Sequence, residues 1–332
     1  MNLTAAKALL ENTNYDNFKN TVLRLFHFQA EHNLTYQLYL RLIGCNSFEV
    51  RRIEDIPFLP IQFFKSHKVL SFDKSENVDR VFLSSSTTER GQSKHYVKYL
   101  ALYEYAFMRA FENSYGNIEN YQVLCLLPSY AEREGSSLVY MANYLIEKSR
   151  NSGSGFYLYD HETLYQKLLA ANKTKQKVLL LGVSFALLDF AEKYILPENQ
   201  NLIVMETGGM KGRRIEILRD ELHGTLTHAF GVQSIHSEYG MTELLSQAYS
   251  SGKGIFKTPP WMKIQVRLLD APLSKPQLAK RGIIQVIDLS NVFSCAFVET
   301  EDLGIAHENG TFEVLGRADF SEIRGCNTML SF

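Results

Sequence analysis

Four stretches of this chain combine residue types able to handle a phosphate and a metal ion. In LSSSTTERGQSKHYV, residues 83–97, small hydroxyl side chains follow an apolar run and lead to Gly91 and Lys94. Hydroxyls and backbone N–H groups of that kind line anions, and Lys94 adds positive charge. The G-x-x-x-x-G-K-[ST] pattern of a P-loop is absent. In METGGMKGRR, residues 205–214, Gly208 and Gly209 break an apolar run. Glycines at the carboxyl end of a strand let a planar group approach the backbone, and that edge is where open α/β sheets bind ligands. In SEYGMTELL, residues 237–245, Tyr239, Gly240, Thr242 and Glu243 bring a ring, a hydroxyl and a carboxylate together. A carboxylate beside a hydroxyl suits Mg²⁺ carrying nucleotide phosphates. In VETEDLG (298–304) and GRADFSEIRG (316–325), Asp302 ends a strand pattern, and Arg317 and Asp319 share a turn. An aspartate there can hold ribose hydroxyls and an arginine a phosphate. Taken singly, the four also read as a polar turn, a glycine turn, a helix N-cap with a first-turn acid, and a surface ion pair.

The elements that must position these residues follow from periodicity. Residues 1–43 are helical in pattern, with Leu23, Phe26, Ala30, Leu34, Leu38 and Leu42 at spacings of three or four. IPFLPIQFFKSHKV (56–69) reads as an extended connection because Pro57 and Pro60 interrupt it. VFLSSS (81–86) is strand-like, and KHYVKYLALYEYAFMRAFENSYG reads as a helix ending at Gly116. Residues 121–128 form a buried-type strand, and 133–150 a helix that Ser136 or Ser137 caps. KVLLLGV, SFALLDFAEKYI, NLIVMET and RRIEILRDELHG then alternate strand and helix, which predicts a parallel sheet with crossover helices. From about 262 the texture changes to short strands: KIQVRLLD, GIIQVIDL, CAFVET and TFEVLG. The division expected is an α/β core over 1–258 and a β-rich subdomain with a tail over 259–332.

Composition bounds the possibilities. The 332 residues carry 35 basic and 36 acidic side chains, a formal charge of −1, which gives no basic surface for nucleic acid or an anionic membrane. The amino terminus lacks a basic and then apolar leader, and no apolar run approaches the roughly 18 residues of a membrane helix. Four cysteines (Cys45, Cys125, Cys295, Cys326) show no paired spacing. A disulfide framework is therefore not expected, and a cytoplasmic location is. His223, His228 and His236 cluster in sequence without a zinc spacing. The 21 Phe and 18 Tyr predict a core or pocket rich in rings.

In order and separation the four stretches resemble the adenylate-forming enzymes, the superfamily of acyl- and aryl-CoA synthetases and firefly luciferase. SSSTTERGQSK is similar to that superfamily's S-G-T-T-G-x-P-K loop, YGMTE to its Y-G-x-T-E, TED to its T-G-D and GRADFSEIRG to its G-R-x-D-x-x-x-x-x-G. IPFLPIQFFKSHKV, LPSYAEREGSSLVYM, ETGGMKGRR and the cysteine-bearing tail resemble, more narrowly, the acyl-protein synthetases of bacterial luminescence, the LuxE family. The resemblance runs from about residue 56 to the end. It implies an α/β adenylate-forming N-terminal domain with parallel sheet layers and a β-rich subdomain, without the usual C-terminal lid. It implies that Ser84, Ser85, Ser86, Thr87, Thr88 and Lys94 hold the ATP phosphates. Gly208 and Gly209 would form the adenine wall, with Tyr239 and Gly240 at its base. Thr242 would contact the α-phosphate, Glu243 would bind Mg²⁺, Asp302 the ribose, and Arg317 its hydroxyls or the phosphate. The sequence departs from the pattern where E-R-G-Q-S replaces G-x-P and where Glu301 replaces a glycine. The larger enzymes continue past the hinge motif into a small domain bearing a catalytic lysine, where this chain has only Arg324 to Phe332.

The activity implied is ATP-dependent conversion of a fatty or related carboxylic acid to acyl-AMP. The acyl group would then pass through Cys326, whose thiolate Arg324 would favour, to an acyl-accepting protein such as a fatty-acyl reductase. Cys45, Cys125 and Cys295 read as core. Two rival expectations are a CoA ligase of the phenylacetate type and a non-catalytic acyl- or nucleotide-binding subunit.

Overall fold

Three helices open the chain, each capped by an asparagine: α1 (Leu3–Asn12), α2 (Tyr15–His32) and α3 (Leu34–Leu42). The side-chain oxygens of Asn2, Asn14 and Asn33 accept from the first free backbone N–H groups, which would otherwise be unpaired. Asn33 both ends α2 and starts α3, so the helical phase resets there. The row expected to run from Leu23 through Leu42 therefore does not continue. Tyr36 and Leu40 face the core, whereas Leu34, Leu38 and Leu42 are exposed, Leu42 at 72%. The computed structural model describes residues 1–85, 91–208, 217–269 and 275–318. Ser86, Thr87, Thr88, Gly209, Asp319, Arg324 and Cys326, all named above, lie outside the described residues.

The stretch expected to be a plain connection holds a short strand, β1 (Leu59–Pro60), and one helical turn, α4 (Phe63–Ser66). Next, β2 (Arg80–Leu83) pairs antiparallel with β3 (Lys94–Val97), matching Phe82 to His95 and Leu83 to Lys94. KHYV is thus a strand, not the start of the following helix. His95 and Val97 are buried while Lys94 is exposed, a period of two that the helical reading overlooked. Helix α5 (Leu100–Tyr115) begins two residues later, where the Asp79 carboxylate accepts from the Leu100 N–H at 2.9 Å, and it ends at Gly116 with φ +78°.

From here strands and helices alternate: β4 (Gln122–Leu126), α6 (Ser137–Ser149), β5 (Gly155–Phe156), α7 (His161–Thr174), β6 (Val178–Val183), α8 (Ser184–Ala191), β7 (Leu202–Thr207), α9 (Arg219–Phe230), β8 (His236–Tyr239) and β9 (Ala248–Ser250). Ser136 caps α6, accepting from the Val139 N–H. The sheet order is β5-β4-β6-β7-β8-β9, parallel from β5 through β8, with β9 antiparallel. Every residue of β4 and β6 is buried, which is why these strands are apolar on both faces.

The second sheet contains β10 (Ile255–Phe256), β11 (Met262–Arg267), β12 (Arg281–Asp288), β13 (Phe297–Ala306) and β14 (Phe312–Arg317), in the order β10-β14-β13-β12-β11. Strand β1 joins it in parallel, Leu59 against Val298 and Pro60 against Glu299, while β14 pairs with Asp302 to Ala306. Helix α2 is fastened to the same half. The buried Gln29 amide donates to Asn291 O and Val292 O, and its oxygen accepts from the Ala296 N–H.

Candidate active site

The parallel sheet ends, at its carboxyl edge, against the second sheet. A hydrogen bond spans the junction: the Tyr239 hydroxyl, closing β8, donates to Asp302 Oδ2 on β13 at 2.9 Å. The Tyr239 ring is held edge-on by Phe312 and Phe256, with centroids at 5.5 and 6.0 Å. Asp302 lies within β13 rather than at its end. A register shift between Leu303 and Gly304 follows it, and such bulges re-aim side chains. Burial pushes its carboxyl up, and Tyr239 and Arg317 oppose that shift. Arg317 ends β14 directly opposite Asp302 and is exposed.

Gly240 follows Tyr239 into a turn, not a helix, that carries Thr242 and Glu243. A Cβ at 240 would lie 2.3 Å from Glu238 Oε1, and the Glu238 carboxylate is already tied to the Thr207 hydroxyl at 2.5 Å. The turn is anchored from below by the fully buried Asp288, which accepts from the Leu245 and Ser246 N–H groups and from both serine hydroxyls, Ser246 and Ser290. Asn291 donates to Glu243 O at 2.8 Å.

The β2–β3 hairpin supplies the facing wall. Its loop is closed by Ser84 and Ser93: the Ser84 N–H donates to Ser93 O and the Ser93 N–H to Ser84 Oγ. His95 donates through Nδ1 to the Thr242 carbonyl at 2.8 Å, since a carbonyl can only accept. Burial drops the His95 pKa to about 4, so the ring stays neutral and in that tautomer. Ser93, on the same strand face, turns its hydroxyl to the buried Glu243 carboxyl. Burial pushes that carboxyl up, while Ser93, Lys65 and Arg317 favour its ionised form. Lys94 is exposed and belongs to the opposite face of the strand.

The site expectations can now be placed. Ser84, Thr242, Glu243, Tyr239, Gly240, Asp302 and Arg317 converge on one junction. Gly208, exposed with φ +60°, follows β7 one strand away from Tyr239. Ser85 and Lys94 border the hairpin loop. Sequence reasoning missed Ser93, His95, Asp288 and Asn291. The alternation of Ser93, His95 and Val97 is the signal that points to the first two. It also missed a cluster behind β7, where the buried Glu206 accepts from the Ser184 hydroxyl at 3.2 Å and faces His223 Nε2 at 3.8 Å. Burial raises that carboxyl, but His223, Ser237 and Arg219 outweigh it and hold it below its ordinary value. Cys125 and Cys295 are buried as expected, and burial pushes the Cys295 thiol up to about 12. Cys45 is partly buried and packs against the edge of the core.

The donor set suits a metal that arrives on a phosphate. Among the described residues no group of three metal-ligating side chains forms a cage, and Glu243 offers one carboxylate. Mg²⁺ on nucleotides is bound in that way, through one or two carboxylates. No described helix is long and apolar enough to cross a membrane.

No protein-family model matches this chain, and no curated protein matches its sequence. Solved structures do match. ATP-bound MatB from Rhodopseudomonas palustris superposes with a TM-score of 0.53 at 17% identity, over 74% of this chain and 49% of MatB. An open form of 2-hydroxyisobutyryl-CoA ligase, in complex with 2-HIB-AMP and CoA, gives a TM-score of 0.62 at 13% identity, over 95% of this chain and 81% of the ligase. Its postadenylation state gives 0.62 at 13% identity, over 91% and 68%. The fold is therefore that of the N-terminal domain of adenylate-forming enzymes, and the chain spans about half the length of MatB.

Proposed function

We propose that this chain activates a carboxylic acid with ATP and passes the acyl group to a thiol. The observation that carries this reading is the junction itself. Tyr239 and Asp302 bridge the two sheets beside Glu243, in a fold shared with structures described as ATP-bound and in complex with 2-HIB-AMP. In the first step an oxygen of the substrate carboxylate attacks the α-phosphorus, the bond to the β-phosphate breaks, and pyrophosphate leaves with its electron pair. Asp302 would hold the ribose hydroxyls and the Tyr239 ring would support the adenine. Ser84, Ser85, Ser86, Thr87, Thr88 and Lys94 would surround the phosphates, with Gly208 and Gly209 on the adenine side. When bound, Mg²⁺ would supply charge neutralisation on the phosphate oxygens, held by Glu243, with Thr242 against the α-phosphate. His95 holds the Thr242 carbonyl and so fixes the turn; its neutral ring adds no charge.

In the second step a thiolate attacks the acyl carbonyl and AMP leaves. Cys326 is the proposed thiol, of the LuxE type, and the acceptor beyond it a protein. Support comes from the other cysteines: Cys125 and Cys295 are buried and their thiols are pushed up, so neither is poised as a nucleophile. A fatty acid is the proposed substrate class. A second reading, direct transfer to CoA, is favoured by the likeness to a CoA ligase over 95% of this chain.

ATP–pyrophosphate exchange with a panel of carboxylic acids tests the first step. Glu243→Ala should reduce exchange by about 100-fold or more; unchanged exchange would sink the assignment of Glu243. Labelled acid and ATP, without CoA, should leave a hydroxylamine-sensitive label that Cys326→Ser loses. Label retained in Cys326→Ser, or release only when CoA is added, overturns the Cys326 route.

A further inference from the structure

Besides Lys94, exposed on the hairpin, the site described so far holds Glu243, Asp302 and an exposed arginine, and its chemistry brings two anions together. A cation close to the reacting centre is called for. Helix α4 supplies one that no motif singled out. Its segment is sewn along β13 towards Asp302: β1 pairs with Val298 and Glu299, the Ile61 N–H donates to Glu299 O at 2.9 Å, and the Gln62 amide donates to Glu301 Oε1 at 2.8 Å. The other side of the same turn meets the Glu243 loop. Phe64, fully buried, packs edge-on against His95 with centroids 5.7 Å apart, and His95 holds the Thr242 carbonyl. So α4 is wedged between Thr242–Glu243 and Glu301–Asp302.

Lys65 stands three residues after Gln62, which is itself helical at φ −60°, ψ −22°. Residues at that spacing share a helix face, so Lys65 lies on the side that Gln62 turns to Glu301. It is half-buried, and its charge reaches Glu243 together with that of Arg317. Among the described residues no carboxylate forms an ion pair with it. A half-buried ammonium whose charge acts on a buried carboxyl, with no ion-pair partner among the described residues, is a place for an anionic ligand.

We infer that Lys65 is a phosphate-binding residue of this cleft, its ammonium pairing with an oxyanion of the nucleotide between Glu243 and Arg317. The inference rests on the adenylation reading for the identity of the anion. Its role is electrostatic: as the carboxylate oxygen closes on phosphorus, negative charge builds on the phosphate oxygens, and the ammonium stabilises it.

The test uses the full chain and its Lys65→Met and Lys65→Arg variants, with two readouts: ATP·Mg²⁺ affinity by calorimetry and pyrophosphate exchange. Lys65→Met should weaken ATP binding about tenfold and lower the exchange rate constant by about 100-fold. Lys65→Arg should restore most of the affinity, and the thermal midpoint without nucleotide should be the same for all three proteins. ATP affinity and exchange unchanged in Lys65→Met overturn the proposal, as does a loss that tracks a fall in thermal midpoint and that arginine fails to rescue. If the wild-type chain binds ATP but exchanges pyrophosphate with no acid, the adenylation reading falls, while the affinity of Lys65→Met still decides for or against the phosphate contact. A wild-type chain that binds no ATP overturns both.

Discussion

His95 sits where function and stability meet, because the same imidazole fills the core and positions the Thr242 carbonyl. Its pKa falls from 6.5 unfolded to about 4 folded. Above pH 6.5 neither state holds the proton and the histidine costs nothing. As pH falls from 6.5 towards 4, the unfolded chain gains a proton the folded one refuses, so about 3 kcal/mol of stability is lost across that window. His95→Asn keeps a donor near Nδ1 and has no titration there. Urea unfolding of both proteins from pH 7 to pH 4 should show wild type losing this increment relative to the variant; parallel curves would reject a buried neutral His95. Residues of this kind define the limit of the sequence reading. Tyr239, Glu243 and Asp302 are legible because each stands in a recognisable short motif. Ser93, His95, Asp288 and Asn291 act through partners distant in the chain, as when His95 meets Thr242 147 residues on. Only the folded topology makes such partners visible.

At the scale of elements, apolar runs and strand–helix alternation located the parallel sheet well. Helix phase was harder to read. A spacing of three or four persists from Leu23 to Leu42, yet Asn33 restarts the helix and moves the buried face onto Tyr36 and Leu40. Leu40→Ala should therefore cost about 2–4 kcal/mol, whereas Leu38→Ser on the next turn should change stability by less than about 0.5 kcal/mol. Equal losses at the two positions in chemical denaturation would show the phase to be wrong. The beginning of α5 was misplaced for a related reason. KHYV alone offers four residues, and only with Ser93 added does period two stand out from the aromatic helix behind it. Its strand identity comes from pairing with Arg80–Leu83 across a loop. The connection at 56–69 was read from its prolines, but Pro60 needs no N–H to serve as an edge residue, so proline did not exclude β1.

For the whole molecule, the two sheets are joined by side chains as well as by sequence. Gln29 fastens the amino-terminal helices to the second sheet in the same way, reaching from α2 to four backbone groups between Asn291 and Ala296. Gln29→Leu keeps the volume but strands those groups in a dry interior, and should cost about 3 kcal/mol or more. Hydrogen exchange should then show β13 and α2 losing protection together; loss confined to α2 would mean the halves are stable separately. The β1–β13 pair carries a different consequence, one of timing. Leu59 and Pro60 meet Val298 and Glu299, and the neighbouring Gln62–Glu301 bond closes a loop of 239 residues. Contacts of that span form late, since the entropy of closing the loop must be met before any pairing rewards it. During synthesis the first strand waits, unpaired, until β13, more than two hundred residues later, has left the ribosome. With it waits α4, so the cleft beside Glu243 acquires its last wall only when β13 arrives.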